Sequence, residues 1–162
     1  MEVRETRQED IDGYPDCQLK VFESLRGVLP PQFIEAEISW LRDMGRARME
    51  RAIQDPGGIN LVAEDSGSIV GIATGSVSRA GLSTLGFVGV APTHRRRGIG
   101  RQLVQRFIEE SREMGAAKVT LNTARELKPA IKLYVDMGFV PEGLLRRHVY
   151  GVDSIVYSKF LE

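Results

Sequence analysis

Between Val90 and Gly100 the chain reads Val90-Ala91-Pro92-Thr93-His94-Arg95-Arg96-Arg97-Gly98-Ile99-Gly100. Three arginines precede two glycines, and Ile99, Leu103, Phe107 and Ile108 follow at helical spacing. The first turn of a helix presents N–H groups with no intrahelical acceptor and a partial positive charge. Gly98 and Gly100 let an anion approach those groups closely, and Arg95, Arg96 and Arg97 add charge beside it. That combination suits a pyrophosphate. Other readings of the loop fail. The Gly-x-x-x-x-Gly-Lys-Ser/Thr pattern of ATP-type loops is absent. A dinucleotide fingerprint needs a glycine where Leu103 stands and an acid ~20 residues on, near Thr120 and Asn122. Nucleic-acid binding would call for a basic stripe or a reading module, and neither is seen. A merely solvated basic turn would not need paired glycines at a strand-to-helix junction.

The elements around this loop set its context. Glu2–Thr6 alternates like a short strand. Asp10 to about Val28 reads as a helix, and Pro30-Pro31 interrupts it. A second helix is expected over Gln32–Gln54, with Ile34, Ile38 and Leu41 on one face, and Pro56-Gly57-Gly58 stops it. Strands are predicted at Ile59–Glu64, Ile69–Val77 and Thr84–Val90, the first two joined by the hairpin signal Asp65-Ser66-Gly67-Ser68. Helices over Gly98–Met114 and Lys128–Met137 enclose a strand at Lys118–Thr123. Two late strands, Phe139–Val149 and Ser154–Leu161, flank a turn at Tyr150-Gly151-Val152-Asp153. Interleaved helices and strands imply one mixed α/β (α+β) sheet, parallel across the strand–helix–strand unit from Thr84 to Thr123.

The chain of 162 residues suits one domain, residues 1–162. Its 22 acidic and 22 basic residues balance, so no global field favours nucleic acid or an anionic membrane. The single cysteine, Cys17, excludes an intramolecular disulfide and reads as a small apolar residue rather than a nucleophile. Met1–Asp10 lacks the apolar core of a secretory leader, and no run approaches the ~20 apolar residues of a membrane helix. These features point to the cytoplasm.

Arg95, Gly98 and Gly100 match the Gln/Arg-x-x-Gly-x-Gly/Ala signature of the GNAT superfamily of acyl-CoA-dependent N-acetyltransferases. Leu133-Tyr134-Val135-Asp136-Met137-Gly138-Phe139, preceded by Ala130-Ile131, resembles that family's second motif, and the order and spacing agree from about Ile59 to Leu161. The resemblance implies the acyl-CoA N-acyltransferase fold. This is a mostly antiparallel sheet of about seven strands with about four helices. Its one parallel pair, Thr84–Val90 and Lys118–Thr123, splays to admit coenzyme A. It implies acetyl-CoA as cosubstrate, an amine acceptor (a small molecule, an amino acid or a peptide N-terminus), no metal, no nucleic acid and no membrane, and leaves a homodimer open. Cofactor contacts would come from Val88, Val90, Arg95, Arg96, Arg97, Gly98, Ile99, Gly100, Asn122 and Tyr134. A backbone N–H near Val88 would polarise the acetyl carbonyl. Tyr134 would be catalytic, donating toward the departing thiolate.

Two positions depart from the family pattern. Leu127 stands where an asparagine is frequent, and Asn122 stands where many protein N-terminal acetyltransferases carry a Glu or His. An amide can orient a water but accepts no proton at neutral pH, so the base is unassigned among His94, His148, Tyr150, Glu23 and Glu64. Trp40, Met44 and Met49 read as packing, and Leu29, Pro30, Pro31 and Phe33 as an apolar wall of the acceptor site. A different acyl donor, or a non-catalytic acyl-CoA sensor, remain the competing readings.

Overall fold

The computed structural model describes all 162 residues, Met1–Glu162. Strand β1 (Glu2–Glu5) leads through a 3-10 turn to helices α1 (Gly13–Glu23) and α2 (Pro31–Ala52). Strands β2 (Gly58–Asp65), β3 (Ser68–Val77) and β4 (Leu82–Val90) follow. Then come α3 (Ile99–Glu113), β5 (Lys118–Ala124), α4 (Lys128–Asp136), β6 (Val140–Val149) and β7 (Val152–Phe160). The seven strands form one sheet in the order β1-β2-β3-β4-β5-β7-β6. Only β4 and β5 pair in parallel; every other neighbouring pair is antiparallel. The expected seven strands, four helices and central parallel pair are all present.

Two expectations need correction. The first helix does not run from Asp10 to Val28. Asp10 belongs to the preceding 3-10 turn, where its carboxylate accepts from both Arg4 terminal nitrogens (2.7 and 3.0 Å) and from the Arg7 N–H (2.7 Å). The helix ends at Glu23, and Gly27 at φ +83° turns the chain toward Pro31, which opens α2 in its first turn. The last turn is also tighter than expected. Only Tyr150 and Gly151 form it, both at positive φ (49° and 75°), and Val152 and Asp153 already belong to β7.

Strand alternation splits the core between the two faces of the sheet. Leu61 and Ala73 pack on the side of Leu103, Val104 and Phe107 of α3. Val62 and Ile72 point the other way, to Tyr14 and Cys17 of α1 and Met49 of α2. Further along, Ile34, Ile38 and Leu41 of α2 join Phe22, Ala124 and Val152 in a third cluster. No helix is long and apolar enough to cross a membrane.

The parallel pair holds for three positions only: Leu82 with Lys118, Ser83 with Val119, and Thr84 with Thr120. Beyond Thr84 the strands part. At that point β4 carries a bulge, because Thr74 faces Phe87 but Gly75 faces Leu85, leaving Gly86 as the extra residue. A bulge bends its strand and strengthens the local twist, which turns β4 away from β5. Gly75 allows the close approach: a Cβ there would lie 2.1 Å from the Thr84 carbonyl oxygen and 2.6 Å from the Phe107 ring.

Candidate active site

The glycine loop forms one end of the opening. Gly98 caps α3 at φ 78°, a conformation that favours glycine, and it offers no side-chain cap. The first bond of the helix runs from the Gln102 N–H to the Gly98 carbonyl (3.1 Å). The N–H groups of Arg96, Arg97, Gly98, Ile99, Gly100 and Arg101 therefore have no acceptor within the protein. No acidic side chain occupies the first turn of α3 to satisfy them. A Cβ at Gly98 would meet nothing within 4 Å, and one at Gly100 would make only ordinary contact, 3.5 Å from Leu133. Packing does not demand a bare backbone at Gly100, and its absence of a side chain leaves room beside the free N–H groups. The residues present fit a diphosphate.

The predicted side chains divide there. Arg95 folds back: its Nε donates to the Val90 carbonyl (3.0 Å) and an Nη to the Ser24 hydroxyl (2.6 Å), so it fastens the loop to β4 and the end of α1. Arg96 and Arg97 are exposed and form no ion pair. Ile99 is 3 % exposed and belongs to the core, so only its backbone is free to bind.

The parted strands form the middle of the site. The Ala91 N–H donates to the Val70 carbonyl, and by the alternation of an antiparallel ladder Val88 and Val90 direct their backbone groups away from β3, into the gap. The cleft has a volume of about 350 Å³ and crosses from α4 to α1 and α2. Val88, Asn122 and Tyr134 all line it. Tyr134 is 6 % exposed, its ring lies 5.7 Å from that of Phe139, and burial pushes its hydroxyl above the ordinary range. It is a protonated donor at physiological pH. Leu127 borders the same cleft.

None of the five candidate bases lines the cleft. Glu23 pairs with Arg26 (2.6 Å) and Glu64 with Arg4 (2.6 Å). His94 lies against Thr93 and 3.4 Å from Asp65. His148 is exposed on β6, and Tyr150 stands edge-on to Phe33, their ring centroids 5.3 Å apart. Cys17 is buried, its thiol pushed up to about 11 by burial, as suits a packing residue.

The far wall holds what the sequence reading missed. Gln18 of α1 and Glu37, Trp40 and Arg48 of α2 face the cleft alongside the expected Leu29 and Phe33. Met49 packs inside as expected, but Trp40 is 42 % exposed and borders the opening. Phe33, Glu37, Trp40, Met44 and Arg48 fall at i, i+4, i+7, i+11 and i+15, a second stripe beside the Ile34–Ile38–Leu41 face. That spacing was the available signal.

Comparison with known proteins agrees with this geometry. Residues 22–139 match the model of the Acetyltransferase (GNAT) family. The mycothiol acetyltransferase of Arthrobacter sp. is 30 % identical over 147 residues, covering 77 % of this chain and 45 % of that protein. The [ribosomal protein bS18]-alanine N-acetyltransferase of Escherichia coli K12 is 35 % identical over 68 residues, 42 % of this chain and 45 % of its own length. The chain thus spans less than half the length of either. The crystal structure of PaiA N-acetyltransferase from Thermoplasma acidophilum, in complex with coenzyme A, superposes with a TM-score of 0.84 at 18 % identity, covering 99 % of this chain and 98 % of that one. With the family model matching well over half its length, the chain belongs to the acetyltransferase (GNAT) family.

Proposed function

We propose that residues 1–162 form a single N-acetyltransferase domain. It moves the acetyl group of acetyl-CoA to a primary amine by direct attack with both substrates bound. The observation that carries this is the row of acceptor-less N–H groups from Arg96 to Arg101, at the head of a parallel pair that parts after Thr84. Those amides, with Arg96 and Arg97, would hold the diphosphate. The gap-facing backbone of Val88 and Val90 would hold the pantetheine arm as an added strand, and Asn122 would border it. A thioester so placed brings its carbonyl toward a backbone donor that stabilises the charge developing on oxygen. Tyr134 donates a hydrogen bond toward the sulfur as the C–S bond breaks.

The relatives' names point to different acceptors, mycothiol in one and ribosomal protein bS18 in another, so the acceptor must be read from this cleft. A second reading, a longer acyl donor, draws support from the mostly apolar lining. A cytoplasmic setting fits a lone buried thiol. Thiol release from acetyl-, propionyl- and hexanoyl-CoA, followed with a panel of primary amines, tests the proposal. Amine-dependent release that is fastest with acetyl-CoA is the expected result. Preference for hexanoyl-CoA would select the second reading, and binding without release from any donor would leave a sensor.

A further inference from the structure

The cleft continues beyond the gap into a chamber whose polar groups have no partners in the protein. Gln18 and Ser154 both line the cavity and are largely buried, and neither side chain makes a hydrogen bond within the protein; their polar atoms stay open to the cavity, free to meet a ligand. Among the lining residues the ionisable side chains are Glu37 and Arg48 on α2 and Tyr134 on α4. Glu37 is half-buried and has no ion pair or hydrogen bond. Arg48 also lacks an ion pair and acts on Glu37 only through its charge. The carboxylate belongs to a mostly apolar cleft and has no hydrogen-bond or ion-pair partner; Phe33 and Trp40, one turn before and after it on the same helix face, line the cleft beside it.

We propose that Glu37 receives the acceptor's ammonium group and takes its proton, and that the acceptor is a primary amine on an apolar body. This rests on the acetyl-transfer reading above. An incoming ammonium supplies the cation that Glu37 lacks and donors for the Gln18 amide oxygen and the Ser154 hydroxyl. The apolar body lies against Leu29, Phe33 and Trp40. Burial raises the Glu37 carboxyl and the charge of Arg48 opposes part of that rise, which leaves a carboxylate more basic than an ordinary glutamate. The step balances. The ammonium gives one proton to Glu37, which passes it to water. The free amine forms the C–N bond, the C–S bond breaks, and the second nitrogen proton neutralises the thiolate along the Tyr134 hydroxyl. Products are the N-acetyl amine, coenzyme A thiol and one released proton.

Glu37→Gln keeps the size of the side chain and removes its charge, Glu37→Asp restores the charge, and Asp43→Asn, on the exposed side of the same helix, is the control. Calorimetry measures coenzyme A binding, and then phenethylamine binding to the CoA-saturated protein; thiol release with phenethylamine and with ethanolamine is followed from pH 6 to 9. For Glu37→Gln the expectation is unchanged coenzyme A affinity and roughly tenfold weaker amine binding. Its kcat/KM at pH 7 falls on the order of 10²-fold. That deficit shrinks as rising pH supplies free amine, because an amine already free of its proton needs no base. Glu37→Asp recovers part of the loss, Asp43→Asn matches the parent, and phenethylamine outpaces ethanolamine. A Glu37→Gln protein that binds phenethylamine and turns over like the parent at pH 7 overturns the role of Glu37 and leaves acetyl transfer standing. Equal use, or no use, of the two amines overturns the apolar acceptor. A parent protein that binds no coenzyme A removes the underlying reading as well.

Discussion

The chemistry at single residues divides by how local its cause is. The loop from Arg95 to Gly100 was readable because glycine spacing and the start of a helical pattern lie within a few residues. The role of Arg95 was not, since its partners Val90 and Ser24 are fixed by tertiary packing. Ile99 likewise matched a binding motif while its side chain serves the core. Tyr134 followed from the resemblance, and burial explains how it can act. With its hydroxyl held above the ordinary range, it would give the thiolate a hydrogen bond and pass on a proton only as it receives one from the acceptor nitrogen, because a thiol ionises near pH 8.5. Its loss should therefore slow turnover at the low end of the range for a general acid. Tyr134→Phe is expected to lower kcat on the order of 10²-fold with coenzyme A affinity unchanged. Steady-state kinetics with a chemistry-limited amine, paired with calorimetry, checks this; an unchanged kcat would make Tyr134 a packing residue.

Among the elements, strands and helices were legible in kind because their hydrophobic periods differ, but their ends depended on contacts far along the chain. The expected start of α1 at Asp10 failed for that reason: Arg4 of β1 and the Arg7 N–H hold the Asp10 carboxylate in a separate turn. Burial alone would raise that carboxyl. Its hydrogen bonds to Arg4 and Arg7 and their charges outweigh burial and hold it below its ordinary value of 3.8. A folded-state value below the unfolded one contributes stability above the unfolded value and loses it as pH falls through the folded one. Asp10→Asn should cost about 3 kcal/mol at pH 7, the low end for a broken buried pair because Glu64 still holds Arg4. Urea unfolding at several pH values should show the parent's advantage shrinking below pH 3.8. A deficit that stays constant with pH would deny the carboxylate this role. The stripe from Phe33 to Arg48 shows the converse case. Its spacing is plain in α2, but only the seating of α2 over the gap makes it part of a site.

At the scale of the whole molecule, one sheet brings three pieces of chemistry together. The α3 N-terminus lies at one end of the opening, the bulge at Gly86 parts β4 from β5 in the middle, and α1 with α2 closes the far side of the cleft. The parallel pair was legible from the strand–helix–strand unit, whereas the order of the strands in the sheet was not read from the sequence. The bulge and the far wall were not, because both arise from how distant segments pack. The central claim is that the bare amides after the arginine turn hold a diphosphate and so aim a thioester into the parted strands. Calorimetric titration of coenzyme A into the parent and Gly98→Glu proteins tests it most directly, with circular dichroism to confirm that the variant is folded. Saturable one-to-one binding by the parent, lost in a folded variant whose carboxylate meets the phosphates, is the expected result. Equal affinity in both proteins, or none in the parent, would contradict it.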